Sequence, residues 1–160
     1  MTGCAIRPAQ RSDIKTIVRF IRALAEFENL ADTVTADEDT LLRNLFGPRC
    51  YAECLLAEID AEVAGFAVYF HSFSTFLGKP GLYVEDIYVV PAFRRRGTGL
   101  AFFRELAKIA VARDCGRMEW SVLNWNERAI AFYRKLGAEP MSEWTTQRLT
   151  RTGIEVLANG

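Results

Sequence analysis

Apolar residues recur along this chain with two different periods, and the places where the period changes predict its elements. Ile14, Ile17, Val18, Ile21, Leu24 and Ala25 fall at three- and four-residue spacing, the apolar face of a helix from about Ser12 to Leu30. Ser12 can cap its first turn. A short strand, about Ala5 to Arg7, precedes it and ends at Pro8. Leu41, Leu42 and Leu45 mark a second, shorter helix, with Thr35 and Glu38 at capping-box spacing and Gly47-Pro48 as its stop. Tyr51 to Ile59 and Val63 to Phe70 are strand-like runs on either side of Asp60-Ala61-Glu62, which reads as an antiparallel hairpin. Phe73 to Gly81 reads as a loop, and Leu82 to Val90 as a further strand closed by Pro91. A long helix follows Gly97 and Gly99 and runs to about Arg113, with Leu100, Phe103, Leu106, Ala107 and Ala110 on one face, until Cys115-Gly116 stops it. Met118 to Leu123 reads as strand and Glu127 to Leu136 as helix, with Gly137 where a left-handed C-cap belongs. Glu143 to Leu149 is expected to be a final strand, and the tail to add a helical turn.

The resulting order, β-α-α-β-β-β-α-β-α-β, predicts an α/β (α+β) sandwich with helices on both faces of a mixed, mostly antiparallel central sheet. The chain has 160 residues, a length that fits one domain over 1–160 and one sizeable core. No apolar run reaches the ~20 residues of a membrane span, and the start, Met-Thr-Gly-Cys-Ala-Ile-Arg-Pro, lacks the apolar core of an export signal. A cytoplasmic location is expected. Twenty Lys and Arg balance twenty Asp and Glu, whereas duplex binders carry a basic excess, so nucleic acid is not an expected partner. The basic run Arg94-Arg95-Arg96 is local and suits a small anionic ligand. Cys50 and Cys54 suggest a metal pair only until their surroundings are read. They bracket a strand-like segment, and no second Cys-x-x-Cys or His pair accompanies them. Buried free thiols and no metal site are expected.

The stretch richest in chemistry runs from Asp86 to Leu100, where a strand ends at a proline and a basic loop with two glycines opens a helix. Helix N-termini leave N–H groups unpaired and carry partial positive charge. Glycine lets such a backbone approach a pyrophosphate, and arginines add charge at its edge. Arg94, Arg95, Arg96, Gly97, Thr98, Gly99 and Leu100 therefore form a candidate pyrophosphate cradle. The other reading of the residues alone is a plain strand–loop–helix corner. Neither a Walker loop nor the dinucleotide fingerprint fits, because Gly99 is followed by Leu100-Ala101-Phe102 and several antiparallel strands come first.

Arg94-x-x-Gly97-x-Gly99 after Val-Val-Pro resembles the coenzyme A loop of the GNAT N-acetyltransferase superfamily. Asn126-x-x-Ala129-x-x-Phe132-Tyr133-x-x-x-Gly137 resembles its second signature, in the expected order and spacing. Ile6-Arg7-Pro8-Ala9, Leu24-Ala25-Glu26-Phe27-Glu28 and Leu82-Tyr83-Val84-Glu85-Asp86 resemble the spermidine/spermine and thialysine branch. The resemblance covers nearly the whole chain. It implies acetyl transfer from acetyl-CoA to an amine, without a metal, and a homodimer to which the C-terminal strand contributes.

It also implies roles. Glu85 would accept the ammonium proton, directly or through water, and Tyr133 would protonate the leaving thiolate, a task for which a neutral phenol is suited. Backbone N–H groups of Ile87, Tyr88 and Val89 would pair with the pantetheine arm and polarise the thioester carbonyl. This needs the Glu85 strand to splay from the one after it. Asn126 and Ala129 would add contacts to coenzyme A. Phe27, Glu28, Glu85 and Asp86, bordered by Glu119, Trp120 and Ser121, would form an acidic acceptor cleft that focuses a cationic amine. The loop Ser72 to Gly78 lacks the carboxylate found in the spermidine/spermine enzyme, so a shorter diamine or a lysine-like amino acid is at least as suitable as a long polyamine. Competing readings are acetylation of a protein amino group or an antibiotic amine, and an acyl-CoA-binding module without catalysis.

Overall fold

The computed structural model describes residues 3–160, so Met1 and Thr2 of the N-terminal stretch lie outside the described residues. The chain divides into two compact units, one ending at Ser121 and one comprising Val122–Gly160. The first contains a single five-stranded sheet in the order β1-β2-β3-β4-β5. Its strands are β1 (Ala5–Pro8), β2 (Glu53–Ile59), β3 (Glu62–Ser74), β4 (Lys79–Val89) and β5 (Arg117–Trp120). The first four pair antiparallel, and β4 and β5 pair in parallel. Its helices are α1 (Ile14–Phe27), α2 (Glu38–Phe46) and α3 (Thr98–Ala112).

Strand alternation builds two cores, one on each face of this sheet. Leu55, Ala57, Ala67, Tyr69, Leu82 and Val84 pack against Phe102, Leu106 and Ala110 of α3. Cys54, Leu56, Phe66 and Val68 pack against Ile17 and Phe20 of α1, with Leu45 and Phe46 of α2 at the margin. The expected mixed sandwich with helices on both faces is the observed one. No helix of the described residues is long and apolar enough to cross a membrane.

Local chemistry moves several expected boundaries. α1 stops at Phe27 because Asn29 adopts a left-handed conformation (φ 59°). Leu30 N–H then donates to the Ala25 carbonyl and Asn29 N–H to that of Glu26, the two bonds of a Schellman cap. At the other end α1 is entered through a 3-10 turn, Arg11–Asp13, boxed by Gln10 and Asp13 rather than capped by Ser12. The cap of α2 is Asp37, whose carboxylate accepts from Thr40 N–H at 2.8 Å, not Thr35. The stretch expected as a loop from Phe73 to Gly81 is mostly strand: β3 runs to Ser74 and β4 begins at Lys79. Cys54 is buried, as expected, but Cys50 is exposed, because it precedes β2 instead of lying on it.

The second unit contains α4 (Glu127–Lys135) and α5 (Arg151–Asn159). The strand expected over Glu143 to Leu149 is not formed. A strand exists only through its ladder partners, and residues 141–150 are exposed throughout and pair with no strand of the described residues. The tail instead forms α5, with the Thr150 hydroxyl accepting from Gly153 N–H.

Candidate active site

The β4 strand carries Glu85 to Val89 of the candidate site, and a bulge in it sets their geometry. Asp86 pairs with Val68 and Val84 with Tyr69, so Glu85 between them has no partner on β3. One extra residue reverses the facing of everything after it. Before the bulge, Leu82 and Val84 point at α3; after it, Ile87 and Val89 do, and Tyr88 turns to the α1 face. Asp86, two residues before Tyr88, shares that face.

On its other side, β4 pairs with β5 only from Gly81↔Arg117 to Val84↔Trp120. Beyond that point β4 continues to Val89, held by β3 alone. The strands thus part immediately before the bulged Glu85, and alternate backbone groups from Glu85 to Val89 turn towards an edge that pairs with no strand of the described residues. Tyr83 and Ser121 join hydroxyls at 2.8 Å at the root of this fork.

On the α1 face, carboxylates converge. Burial, then the neighbouring charges of Glu85 and Glu28, push the Asp86 carboxyl up to about 6. Burial also raises Glu28. Glu85 itself is exposed. Phe27 and Glu28 arrive there because the Schellman turn ends α1 at that point. Glu119 lies opposite Tyr83 and is paired with Arg117 at 2.7 Å. Trp120 is turned the other way, edge-on to Phe103 with ring centroids 4.8 Å apart, against the α3 core. Of the expected acceptor residues, then, Phe27, Glu28, Glu85 and Asp86 are brought together, whereas Trp120 belongs to a core.

After β4, a 3-10 turn, Pro91–Phe93, leads into the basic loop. Arg95 (φ 63°) and Gly97 (φ 83°) are left-handed. Such alternation makes successive N–H groups converge on a concavity that binds anions, and a non-glycine residue held there stores strain. A Cβ built on Gly97 would meet no atom within 4 Å, so the surface above it is open to a ligand. The Thr98 hydroxyl donates to the Phe93 carbonyl at 3.2 Å and fixes the helix start. Arg95 and Arg96 are exposed. Arg94 is not: its Nε–H donates to the Val89 carbonyl at 2.8 Å, and its guanidinium lies over the rings of Phe27 and Tyr88. These residues fit an anionic group such as the pyrophosphate of coenzyme A.

In the second unit, the spacing of the Asn126 to Gly137 motif is the length of α4. Asn126 caps it by accepting from Ala129 N–H at 3.2 Å. Gly137 (φ 86°) closes it, with Ala138 N–H donating to the Tyr133 carbonyl and Gly137 N–H to that of Arg134. Tyr133 therefore lies in a last turn locked from both ends. Its ring packs beside Phe132, with centroids 5.6 Å apart.

Three features escaped sequence reading: the bulge, the left-handed Arg95 and the inward Arg94. Only the bulge left a signal. The core positions of β4 change from even (Leu82, Val84) to odd (Ile87, Val89) across Glu85.

Comparisons with known proteins identify the family. The acetyltransferase (GNAT) family model matches residues 19–138. The chain is 38% identical to thialysine N-epsilon-acetyltransferase of Bos taurus, over 99% of both chains. It is 30% identical to L-ornithine N5-acetyltransferase of Arabidopsis thaliana, over 95% of this chain and 86% of that one. Among solved structures it resembles an integron cassette protein from the mobile metagenome of V. cholerae, with a TM-score of 0.81 and 25% identity over 100% and 99% of the two chains. With a family model matched across most of its length and full-length relatives above 30% identity, this chain belongs to the acetyltransferase (GNAT) family and is an N-acetyltransferase acting on amines.

Proposed function

We propose that this enzyme acetylates the primary amine of a small cationic molecule, a diamine or a lysine-like amino acid before a long polyamine. The observation that carries the reading is the fork between β4 and β5, with a bulged carboxylate at its root and an anion-binding loop at the end of the same strand. When bound, acetyl-CoA supplies an acetyl group activated as a thioester. The residues fit it: backbone N–H groups of the Arg94 to Leu100 loop, with Arg95 and Arg96 beside them, would hold the pyrophosphate. Alternate backbone groups of the Ile87-Tyr88-Val89 edge would pair with the pantetheine arm and offer an N–H donor to the thioester oxygen. By the motif they belong to, Asn126 and Ala129 would contact coenzyme A as well.

An amine near neutral pH is mostly ammonium and must lose a proton before it can attack. Glu85 takes that proton, directly or through water. The new C–N bond forms as the C–S bond breaks; the nitrogen sheds its second proton to solvent, and the Tyr133 phenol would give its proton to the departing sulfur and regain one from solvent. The role of Tyr133 rests on the motif around it. Glu28 and Asp86, with Glu119 at the border, supply negative charge that attracts the acceptor, while Phe27 and Ser121 line the same corner. Both the thialysine and the ornithine enzymes are named for amino acids with a side-chain amine, which supports the shorter acceptor. Asp86 is the second candidate base, because a carboxyl raised to about 6 lies nearer the working pH.

We also propose a homodimer. Met141, Trp144, Leu149, Ile154, Val156 and Leu157 are all exposed apolar side chains of the C-terminal segment, more than a monomer usually leaves in one stretch.

A panel of diamines, polyamines and basic amino acids, read by thiol release from acetyl-CoA, tests the reading. Turnover is expected with short cationic amines and about 100-fold less of it in Tyr133→Phe. Binding of coenzyme A without turnover of any amine would overturn it in favour of a binding module, and full activity in Tyr133→Phe would remove that residue from the mechanism.

A further inference from the structure

The geometry points to Arg94 as a positioning residue that ties the acyl-donor loop to the amine side of the site, holding the Val89 carbonyl and the rings of Phe27 and Tyr88 in one stack. The inference rests on the acceptor corner proposed above and deepens it. Three contacts carry it, all from one half-buried guanidinium: Nε–H to the Val89 carbonyl at 2.8 Å, and its carbon 5.4 Å from the Phe27 centroid and 5.7 Å from that of Tyr88. Val89 ends β4, Phe27 ends α1, and Arg94 opens the loop. One side chain thus spans the three pieces of chain that the proposed reaction must align.

The residue type suits this task. A planar guanidinium can donate from its edge to a carbonyl while its faces meet aromatic rings; a lysine ammonium has neither the Nε–H nor the plane. A residue serving only as a point charge for phosphate needs none of these contacts, and the exposed Arg95 and Arg96 remain for that task. Phe27 in turn precedes Glu28, whose charge is felt at Asp86. Loosening Arg94 therefore removes one of the contacts that position the Phe27 ring beside the acceptor corner. The coupling is local, in side chains already in contact.

Full-length Arg94→Lys, Phe27→Leu and the double variant test it. Arg94→Lys is expected to raise KM for the amine about five- to tenfold, while the calorimetric Kd for coenzyme A changes less than about threefold. The double variant should be no worse than the more severe single one, because each removes the same stack. In the resting protein, the NMR resonance of Arg94 Nε–H should be slow to exchange and shifted by the rings, and should move in Phe27→Leu. Restoration of wild-type kinetics by lysine, a loss confined to coenzyme A affinity, or simple additivity would overturn the inference. Should the parent enzyme turn over no amine, the acceptor reading fails, and the Nε–H resonance still decides: unprotected and indifferent to Phe27→Leu, it refutes the stack.

Discussion

The two halves of β4 have similar sequences and opposite duties. From Leu82 to Val84 the strand is paired on both sides and its apolar side chains are almost fully buried. From Glu85 to Val89 it is paired on one side, its carboxylates are gathered at the α1 face, and its other edge pairs with no strand of the described residues. A single inserted residue separates the two. The first half obtains stability from a complete ladder and a dry core. The second leaves hydrogen-bonding capacity unspent and a buried acid poorly solvated, costs that a chain selected only for stability would not keep. On the proposed reading one strand is both scaffold and site: the ladder ends where the proposed chemistry begins.

Substitutions in each half should behave differently, and Glu85→Gln should do the most. It removes the proposed proton acceptor without changing shape, so kcat/KM should fall about 100- to 10,000-fold with the melting temperature nearly unchanged. A loss of stability equal to the loss of rate would place Glu85 in the scaffold instead. Leu82→Ala is the converse. Leu82 is fully buried, and truncation should cost about 2–5 kcal/mol of unfolding free energy, while the fraction that stays folded keeps its KM values. Denaturant unfolding beside kinetics at low temperature separates the two effects.

Asp86→Asn should act more gently and through pH. A carboxyl raised to about 6 in the folded chain binds its proton more tightly there than in the unfolded chain. Wild-type stability therefore falls as pH rises from about 4 through about 6 and is flat above, the sign opposite to that of a salt-bridged acid. The amide never ionises, so its melting-temperature advantage over wild type should grow across that window and then level off. An advantage independent of pH would mean that Asp86 is not held in this environment.

Much of this was readable from sequence, for physical reasons that differ by element. Helices α1 and α3 declare themselves because one apolar face repeats over several turns. The motif around Tyr133 is legible because its fixed residues are the two caps of α4, Asn126 and Gly137, at a spacing set by helix length. The cradle is legible because Gly97 is one of its turning points. Strand boundaries are less so: Phe73 to Gly81 reads as a loop from its Gly and Pro, yet cross-strand pairing extends both strands into it. The segment from Glu143 to Leu149 has a strand-like composition, but composition does not supply the partner a strand requires. Arg94 marks the limit of the approach. Its place in the loop suggests phosphate, and only the fold reveals that Phe27 and Tyr88 come to meet it.

The central claim is that the open half of β4 and the loop after it grip the acyl donor. Backbone amide shifts, recorded while coenzyme A is added to the full-length protein, test it most directly. The account predicts the largest changes at Ile87, Tyr88 and Val89 and from Arg95 to Leu100, with Leu82 to Val84 nearly still. Changes centred elsewhere, or spread equally over both halves of the strand, would contradict it.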